Sequence, residues 1–427
     1  MKRRILLGNS NPLSDLATVM LALADVGHLT EGQALLRFER MFAAQLGAGR
    51  ACSFFAGRVA LAAILDAIDI RAGDEVIIPA YTCVAVPNPI LALGATPVYA
   101  DIDRRTGNLC PHSVARVVSN KTRALLVQHT FGIPAAIAEL NAVAREHSLR
   151  VIEDCTHAFG ANYAGQPVGT HGDAAFFSME QSKILSTGSG GIAYSANPEI
   201  ARRLADYQSR SSFPPALVTW KMLCYLVDIT LLGGPLYNSL TDTLSYYMKR
   251  TGLAHGPVTT DEEMACVTPV GILTRRLPNG LAKIGISQLA RFEKNRQRRQ
   301  CISEQYAAAV ERLRIPTLSI PASAAPNMVR FPIVVADKAE IIRYMRAQAV
   351  AVGDWFSAPV HPWAVDQAAA GYRAGSCPEA EWAVAHIANL PITPRMSDAD
   401  VQRVVNLLET FQGMARTKAD EFAVAWP

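Results

Sequence analysis

Between about residues 55 and 210 the hydrophobic positions follow two alternating patterns. RVALAAILDAI (58–68) repeats its apolar residues at helical spacing, while DEVIIPA (74–80) is a short continuous apolar run, as a strand buried on both faces reads. VAVPNPILALG (84–94) reads as a helix interrupted by prolines, and TPVYADID (96–103) and TRALLVQHT (122–130) as strands. The helix AAIAELNAVAREH (135–147) leads into the strand LRVIEDC (149–155). DAAFFSM (173–179) and GGIAYSA (190–196) are two more short strands, followed by the helix NPEIARRLADYQS (197–209). Strands alternating with helices predict βαβ units and a mostly parallel sheet. Ligands of such sheets lie beyond the carboxyl ends of the strands, and Asp154 directly follows the strand VIE.

Residues 213–268 break this alternation. The stretch from Trp220 to Met248 is rich in aromatics and leucine, Asp228 interrupts its longest apolar run, and Gly233-Gly234-Pro235 ends it, too early to span a bilayer. An extra helical hairpin packed on the body is the plainer reading; a lid, a dimer arm or an interfacial membrane contact are the others. A long helical pattern follows at 280–313 and bridges to a C-terminal α/β segment that begins near Pro316. MSDADVQRVVNLLETFQ (396–412) closes the chain's pattern as an amphipathic helix, with Ser397 and Asp400 spaced as a capping box that uses Asp in place of Glu.

Composition narrows the class. Of 427 residues, 50% are hydrophobic and 18% charged, which describes a well-buried globule rather than a disordered chain. A net charge of +4 without a Lys/Arg run gives no reason to expect nucleic acid. The eight cysteines form no CxxC pair and read as reduced thiols, which predicts a cytoplasmic protein. Asn9, Asn11, Pro12 and Asp15 interrupt any apolar core of a signal peptide, and no window holds 18 uncharged apolar residues.

Three features then converge on one cofactor. Asp154 ends one strand, Ser178 ends another, and Lys183 lies five residues later in FSMEQSKILSTGSGG (177–191), before Gly188, Gly190 and Gly191. Pyridoxal phosphate needs a lysine amine to condense with its aldehyde and a carboxylate to keep its ring nitrogen protonated. Its phosphate needs hydroxyls and backbone N–H groups, often at a helix N-terminus. Ala56-Gly57-Arg58 opens the first helix, so Gly57 and Arg58 are placed for that role. Taken singly, each has a plainer reading: a solvated lysine, a helix-capping aspartate, a turn serine.

Taken together, IED…HAFGA…VGT.GDAAFFS…SK and the flanking stretches resemble the DegT/DnrJ family of sugar aminotransferases, which have the aspartate-aminotransferase fold. The resemblance runs from GQALLRFERMFAAQLGA to NLPITPRMSDADVQRVV and leaves out 213–268. It implies an α/β fold: a large pyridoxal phosphate-binding domain (1–300, with the extra segment 213–268) on a mostly parallel seven-stranded sheet flanked by helices, then a smaller C-terminal α/β domain (301–427).

It also implies roles. Lys183 matches the lysine that holds the cofactor covalently, Asp154 the partner of the pyridine nitrogen, and Ser178 a phosphate ligand. His157 stands where glutamine usually contacts the phenolic oxygen. Ala56–Arg58 aligns with a Ser-Gly-Thr phosphate loop, so Arg58 replaces threonine and either binds the phosphate, reaches the substrate or turns outward. Cys83 replaces an aromatic ring that often stacks on the cofactor, Ser189 replaces a glutamate, and His129 approaches the site without an assigned role. In the family an asparagine of the partner subunit completes the phosphate site; Thr274, close to Arg276, aligns there and implies a homodimer.

The expected reaction moves an amino group from glutamate or glutamine to a keto sugar, usually nucleotide-linked, in amino-sugar, polysaccharide or secondary-metabolite biosynthesis. A cyclitol ketone is the alternative acceptor, favoured somewhat by FSMEQSK with EDC. Lys183 argues against the family's dehydratases, which carry histidine there. The exchanges at Arg58, Cys83, Thr274 and Ser189 leave open a degenerate protein that binds cofactor without turnover, and 213–268 leaves open a lipid-linked sugar at a membrane.

Overall fold

The computed structural model describes residues 14–232 and 270–415, together with Ile5, Leu7 and Tyr247. Its centre is a seven-stranded sheet: β1 (Arg50–Phe54), β2 (Glu75–Pro79), β3 (Thr96–Ala100), β4 (Thr122–Gln128), β5 (Arg150–Asp154), β6 (Ala174–Ser178) and β7 (Gly191–Ser195). Their spatial order is β1-β7-β6-β5-β4-β2-β3. Only β7 runs antiparallel to its neighbours; the other pairings are parallel. The strands are short and buried almost throughout because both faces are covered, which is why they read as apolar runs rather than as alternations.

Successive side chains of one strand enter opposite cores. Val76 and Ile78 pack with Leu126 and Ile152 on one face; Ile77 packs with Leu125 and Val127 on the other. The first face is covered by α3 (Gly57–Ala67) and α7 (Pro198–Arg210), the second by α1 (Ser14–Ala24), α2 (Gln33–Ala43) and α9 (Asn279–Ala290). In α2 the buried Leu35, Phe38, Glu39 and Phe42 share one face at helical spacing. Glu39 is buried without a cation and stays satisfied: it accepts from the Ser53 N–H (2.8 Å), the Ser53 hydroxyl (2.6 Å) and the Gln208 amide (2.6 Å), tying α2 to β1 and α7.

Most expected elements are present, with three differences. The prolines of VAVPNPILALG confine its helix to Pro87–Ala92, with Pro87 in the first turn, where a missing N–H costs no helix bond. TPVYADID is a strand only to Ala100; past Asp101, Ile102–Asp103 turns away to pair with Asn108–Leu109. The 280–313 pattern is two helices, α9 and α10 (Phe292–Leu313), because Arg291 leaves helical geometry at φ −111°, ψ 5°.

Beyond α10, β8 (Arg330–Val334) pairs antiparallel with β9 (Ile387–Pro391), packed by α11 (Lys338–Ala347) and α13 (Asp398–Ala415). The capping box of α13 forms in both directions: the Asp400 N–H donates to the Ser397 hydroxyl (3.2 Å) and the Ser397 N–H to the Asp400 carboxylate (2.9 Å). Of the 213–268 segment, α8 (Ala216–Val227) and a π-turn at Asp228–Leu232 are described; Gly233-Gly234-Pro235 lie outside the described residues. Among the described residues no helix is long and apolar enough to cross a membrane.

Candidate active site

The carboxyl ends of β5 and β6 and the N-terminus of α3 open onto one cavity of about 280 Å³. It is lined by Gly57, Arg58, Cys83, Asp154, His157, Ser178, Lys183 and Ser189, all singled out from the sequence. Trp355, His361, Gln128 and Glu180 line it too.

The loop that carries Lys183 is stitched to itself. The Lys183 N–H donates to the Glu180 carbonyl (3.0 Å), the Thr187 N–H to that of Met179 (3.0 Å), and the Met179 N–H to that of Gly190 (2.8 Å). Gly188 adopts φ 82°, which favours glycine, and an added Cβ there would press on Leu226 at 2.9 Å. Ser189 is buried and donates its hydroxyl to the Phe55 carbonyl (2.6 Å), so it fixes the loop to the end of β1. The Lys183 amine lies 4.5 Å from the centre of the Trp355 ring. Burial lowers its pKa, partly offset by Glu180.

Asp154 is 2% exposed and its carboxylate accepts from the Thr156 N–H (3.0 Å). Burial raises its pKa against that hydrogen bond and the charge of Lys183. Such a carboxylate is suited to a cationic partner. His157 is buried and stacked, 4.7 Å from the Trp355 ring at an interplanar angle of 8°. Its Nδ1 faces the Phe131 N–H at 3.4 Å, and burial together with Lys183, Arg330 and His361 holds its pKa well below the usual value. Cys83 supplies no ring; the aromatic side chains lining this cavity include the stacked pair Trp355 and His157, with Phe176 and Phe356.

Glycine leaves room at the head of α3: an added Cβ on Gly57 would sit a tight 3.2 Å from the Ser178 Cβ. No side chain caps this helix, and the start of a helix suits an anion. Arg58 is 8% exposed and lines the cavity, so it does not turn outward. An uncapped helix start, a serine and an arginine could hold a phosphate. With the buried carboxylate and the lysine, the residues present fit pyridoxal phosphate.

Thr274 and Arg276 lie outside the cavity. The Ser212 N–H donates to the Thr274 carbonyl (2.9 Å), the Arg276 N–H to the Ser212 carbonyl (2.8 Å), and the Arg276 guanidinium covers the Phe213 ring at 4.6 Å. His129 is behind the cavity wall. Its Nδ1 accepts from the Ala135 N–H (3.0 Å), so its Nε2 carries the proton and donates to Glu153 (3.1 Å). Glu153 also accepts from the N–H groups of Gly169, His171 and Gly172, each at 2.7 Å. His129, Glu153 and Cys155 lie close enough together to suggest a metal site, but the imidazole and the carboxylate already use their lone pairs on N–H donors, so the cluster is a strut beneath Asp154.

Three residues beyond α10 were not singled out from the sequence. Trp355 and His361 line the cavity. Arg330, at the start of β8, is 6% exposed, its Cζ lies 3.3 Å from the centre of the Trp355 ring, and its Nε has no hydrogen-bond partner. Burial brings its pKa down to about 9. The sole sequence signal was compositional: a Trp, an Arg and a His-Pro in a stretch without a motif.

This sheet order, with the site at the strand ends and a lysine-bearing loop after β6, defines an α/β aminotransferase of the type that uses pyridoxal phosphate. Over residues 14–221 and 239–409 the sequence matches the DegT/DnrJ/EryC1/StrS aminotransferase family, and the chain belongs to it. It is thus a pyridoxal phosphate-dependent transaminase. The chain is 38% identical over 185 residues to L-glutamine:2-deoxy-scyllo-inosose aminotransferase of Streptomyces kanamyceticus, covering 42% of this chain and 43% of that protein. It is 27% identical over 354 residues to UDP-N-acetyl-3-dehydro-alpha-D-glucosamine 3-aminotransferase of Acidithiobacillus ferrooxidans, covering 82% and 81%. Among solved structures, DesV of S. venezuelae superposes with a TM-score of 0.76 at 25% identity, covering 96% of this chain and 99% of that one.

Proposed function

We propose that this aminotransferase moves an amino group from glutamine or glutamate to the keto group of a sugar, with Lys183 as the covalent and proton-carrying residue. The observation that supports this is the convergence of Lys183, Asp154, His157, Ser178, Gly57 and Arg58 on one cavity. When bound, pyridoxal phosphate supplies the electron sink that lets an amino group leave one carbon and join another. The rest falls to the protein. Asp154, buried and lacking a cation of its own in hydrogen-bond contact, keeps the ring nitrogen protonated. Gly57, Arg58 and Ser178 would hold the phosphate, and His157 would contact the ring. The Lys183 amine, its pKa lowered, would take the proton from the donor's α-carbon and pass it to the cofactor, and in the second half-reaction would deliver a proton to the acceptor carbon that gains the amine. Arg330, a buried guanidinium beside Trp355 whose Nε has no hydrogen-bond partner among the described residues, suits the donor's carboxylate.

The acceptor is taken as a nucleotide-linked keto sugar, after the relative matched over most of its length. A cyclitol ketone is the second reading, favoured by the 38% identity to the scyllo-inosose enzyme. The protein is taken as a cytoplasmic homodimer in which Thr274 and Arg276 of one subunit approach the phosphate site of the other.

Borohydride treatment of the cofactor-loaded protein should fix the cofactor's mass on the peptide containing Lys183, and Lys183→Ala should lower transamination at least about a thousandfold. A labelled peptide elsewhere, or full activity in Lys183→Ala, sinks the reading. Mass spectrometry of reactions with both acceptor classes and both donors then chooses between sugar and cyclitol.

A further inference from the structure

His361 lines the cavity from the far side of the fold, and its segment is held unusually firmly. Val360–His361 pairs with Thr82–Cys83, through the Thr82 N–H to the Pro359 carbonyl (3.0 Å) and the Val84 N–H to the His361 carbonyl (2.8 Å). The Gln367 side chain clamps Val360 from both ends, accepting from its N–H (3.0 Å) and donating to its carbonyl (2.8 Å). Gln128 braces the paired strand through the Thr82 hydroxyl (2.8 Å) and the Tyr81 carbonyl (3.0 Å). A group held on paired, clamped backbone is pre-positioned for a ligand.

The imidazole itself is fixed in one tautomer. The Ser357 N–H donates to His361 Nδ1 at 3.1 Å, and the Ser357 hydroxyl lies 2.9 Å from the same atom. A backbone N–H can only donate, so Nδ1 is an acceptor and the proton sits on Nε2. Ser357 is fixed in turn, because its hydroxyl oxygen accepts from the Trp363 N–H (3.0 Å). Phe356 packs against the ring edge-on at 5.7 Å. The charges that face His361 are Asp354, which favours the imidazolium, and Arg330, Lys338 and Lys183, which oppose it; burial outweighs all of them and brings its pKa down to about 4. At neutral pH the cavity therefore contains an uncharged imidazole whose remaining ring nitrogen is a donor.

We propose that His361 Nε2–H is the donor that recognises an uncharged oxygen, keto or hydroxyl, on the ring of the amino acceptor, and so acts in the acceptor half of the reaction and not in the donor half. The choice follows from charge. A donor carboxylate is better served by Arg330 and a diphosphate by cations, whereas a neutral N–H on a rigid mount matches a neutral ring oxygen. The inference rests on the aminotransferase reading given above and makes His361 a specificity-determining residue of it.

The two amide variants separate the ring nitrogens. The nitrogen of a glutamine can reach the place of Nε2; that of an asparagine stops near Nδ1. With cofactor-loaded enzyme in stopped flow, L-glutamine and L-glutamate read the donor half-reaction; 2-deoxy-scyllo-inosose and UDP-N-acetyl-3-dehydro-glucosamine read the acceptor half. His361→Asn is expected to slow the acceptor half about tenfold, the worth of one neutral hydrogen bond in a closed site, while His361→Gln recovers most of it. Both variants should keep the wild-type donor half-reaction within about twofold. Imidazole ¹⁵N chemical shifts of the wild type should show Nε2 protonated with no titration between about pH 5.5 and 8. Equal behaviour of the two variants, equal loss in both half-reactions, or titration near the ordinary histidine value overturns the proposal. A wild-type enzyme that completes the donor half but that neither probe returns to its starting state overturns instead the acceptor classes assumed here.

Discussion

Arg330 illustrates how stability and function separate in this cavity. A guanidinium that is 6% exposed, whose Nε has no hydrogen-bond partner among the described residues, is held at a cost: burial lowers its pKa in spite of the nearby charges of Glu180 and Asp354. Replacing it by an apolar side chain of similar length should not harm the free protein. Arg330→Met is expected to leave the thermal midpoint unchanged or raised, yet to increase KM for the amino donor about tenfold to a hundredfold, the value of a charge-assisted contact to a carboxylate. Calorimetry and donor-saturation kinetics on the same preparation check both halves; an unchanged donor KM removes Arg330 from the donor site. Asp154 behaves oppositely. Asp154→Asn keeps the shape and loses the charge, so the cofactor should still bind while transamination falls at least about a hundredfold, as single-turnover rates would show.

The head of α3 and the start of α13 show how much of the architecture could be read in advance. Gly57→Ala should weaken pyridoxal phosphate binding about tenfold in equilibrium dialysis without loss of helix, because the new Cβ sits 3.2 Å from the Ser178 Cβ in the cradle. Ser397→Ala should cost about 1 kcal/mol in denaturant titration, since it removes the cap of α13. Both sites were legible because each is a local pattern: a glycine opening an apolar helix, and a serine three residues before an acid. The parallel strands were legible for the same reason, through their length and apolar runs. β1 was not, because RACSF puts arginine, cysteine and serine into five residues, and only Glu39 and Gln208, supplied from α2 and α7, make Ser53 a buried strand residue. The break at Arg291 was hidden too, since apolar periodicity continues across it. Trp355 and His361 reach the cavity from a little over 200 residues beyond Asp154. Their roles depend on which strand lies next to Cys83, and spacing along the chain does not carry that.

Taken as a whole, the molecule keeps neutral imidazoles in a cavity that also contains Lys183 and lies beside Arg330, and this arrangement has a consequence for stability. His361 has a folded pKa of about 4 against an ordinary 6.5, and that of His157 is also lowered well below 6.5. A base with a depressed folded pKa binds its proton more readily in the unfolded chain. Its contribution is therefore complete above about pH 6.5 and is lost as pH falls toward the folded value. Each fully buried histidine can add a slope of up to ~1.4 kcal/mol per pH unit in that window, with a smaller share for His361, which is partly open to the cavity. Carboxylates with lowered pKa, such as Glu153, lose their own contributions only below about pH 4.5, and Asp154, whose pKa is raised, gains stability as pH falls, so the difference between wild type and a histidine variant isolates the histidines. Denaturant midpoints of the cofactor-free protein should thus fall between about pH 6.5 and 5, and the double variant His157→Gln, His361→Gln should flatten the fall. If the variant keeps the wild-type slope, the imidazoles are not the groups held neutral. If it removes the slope, burial, aided by the positive charge of Lys183 and Arg330, is what keeps both rings available as uncharged neighbours of the reaction.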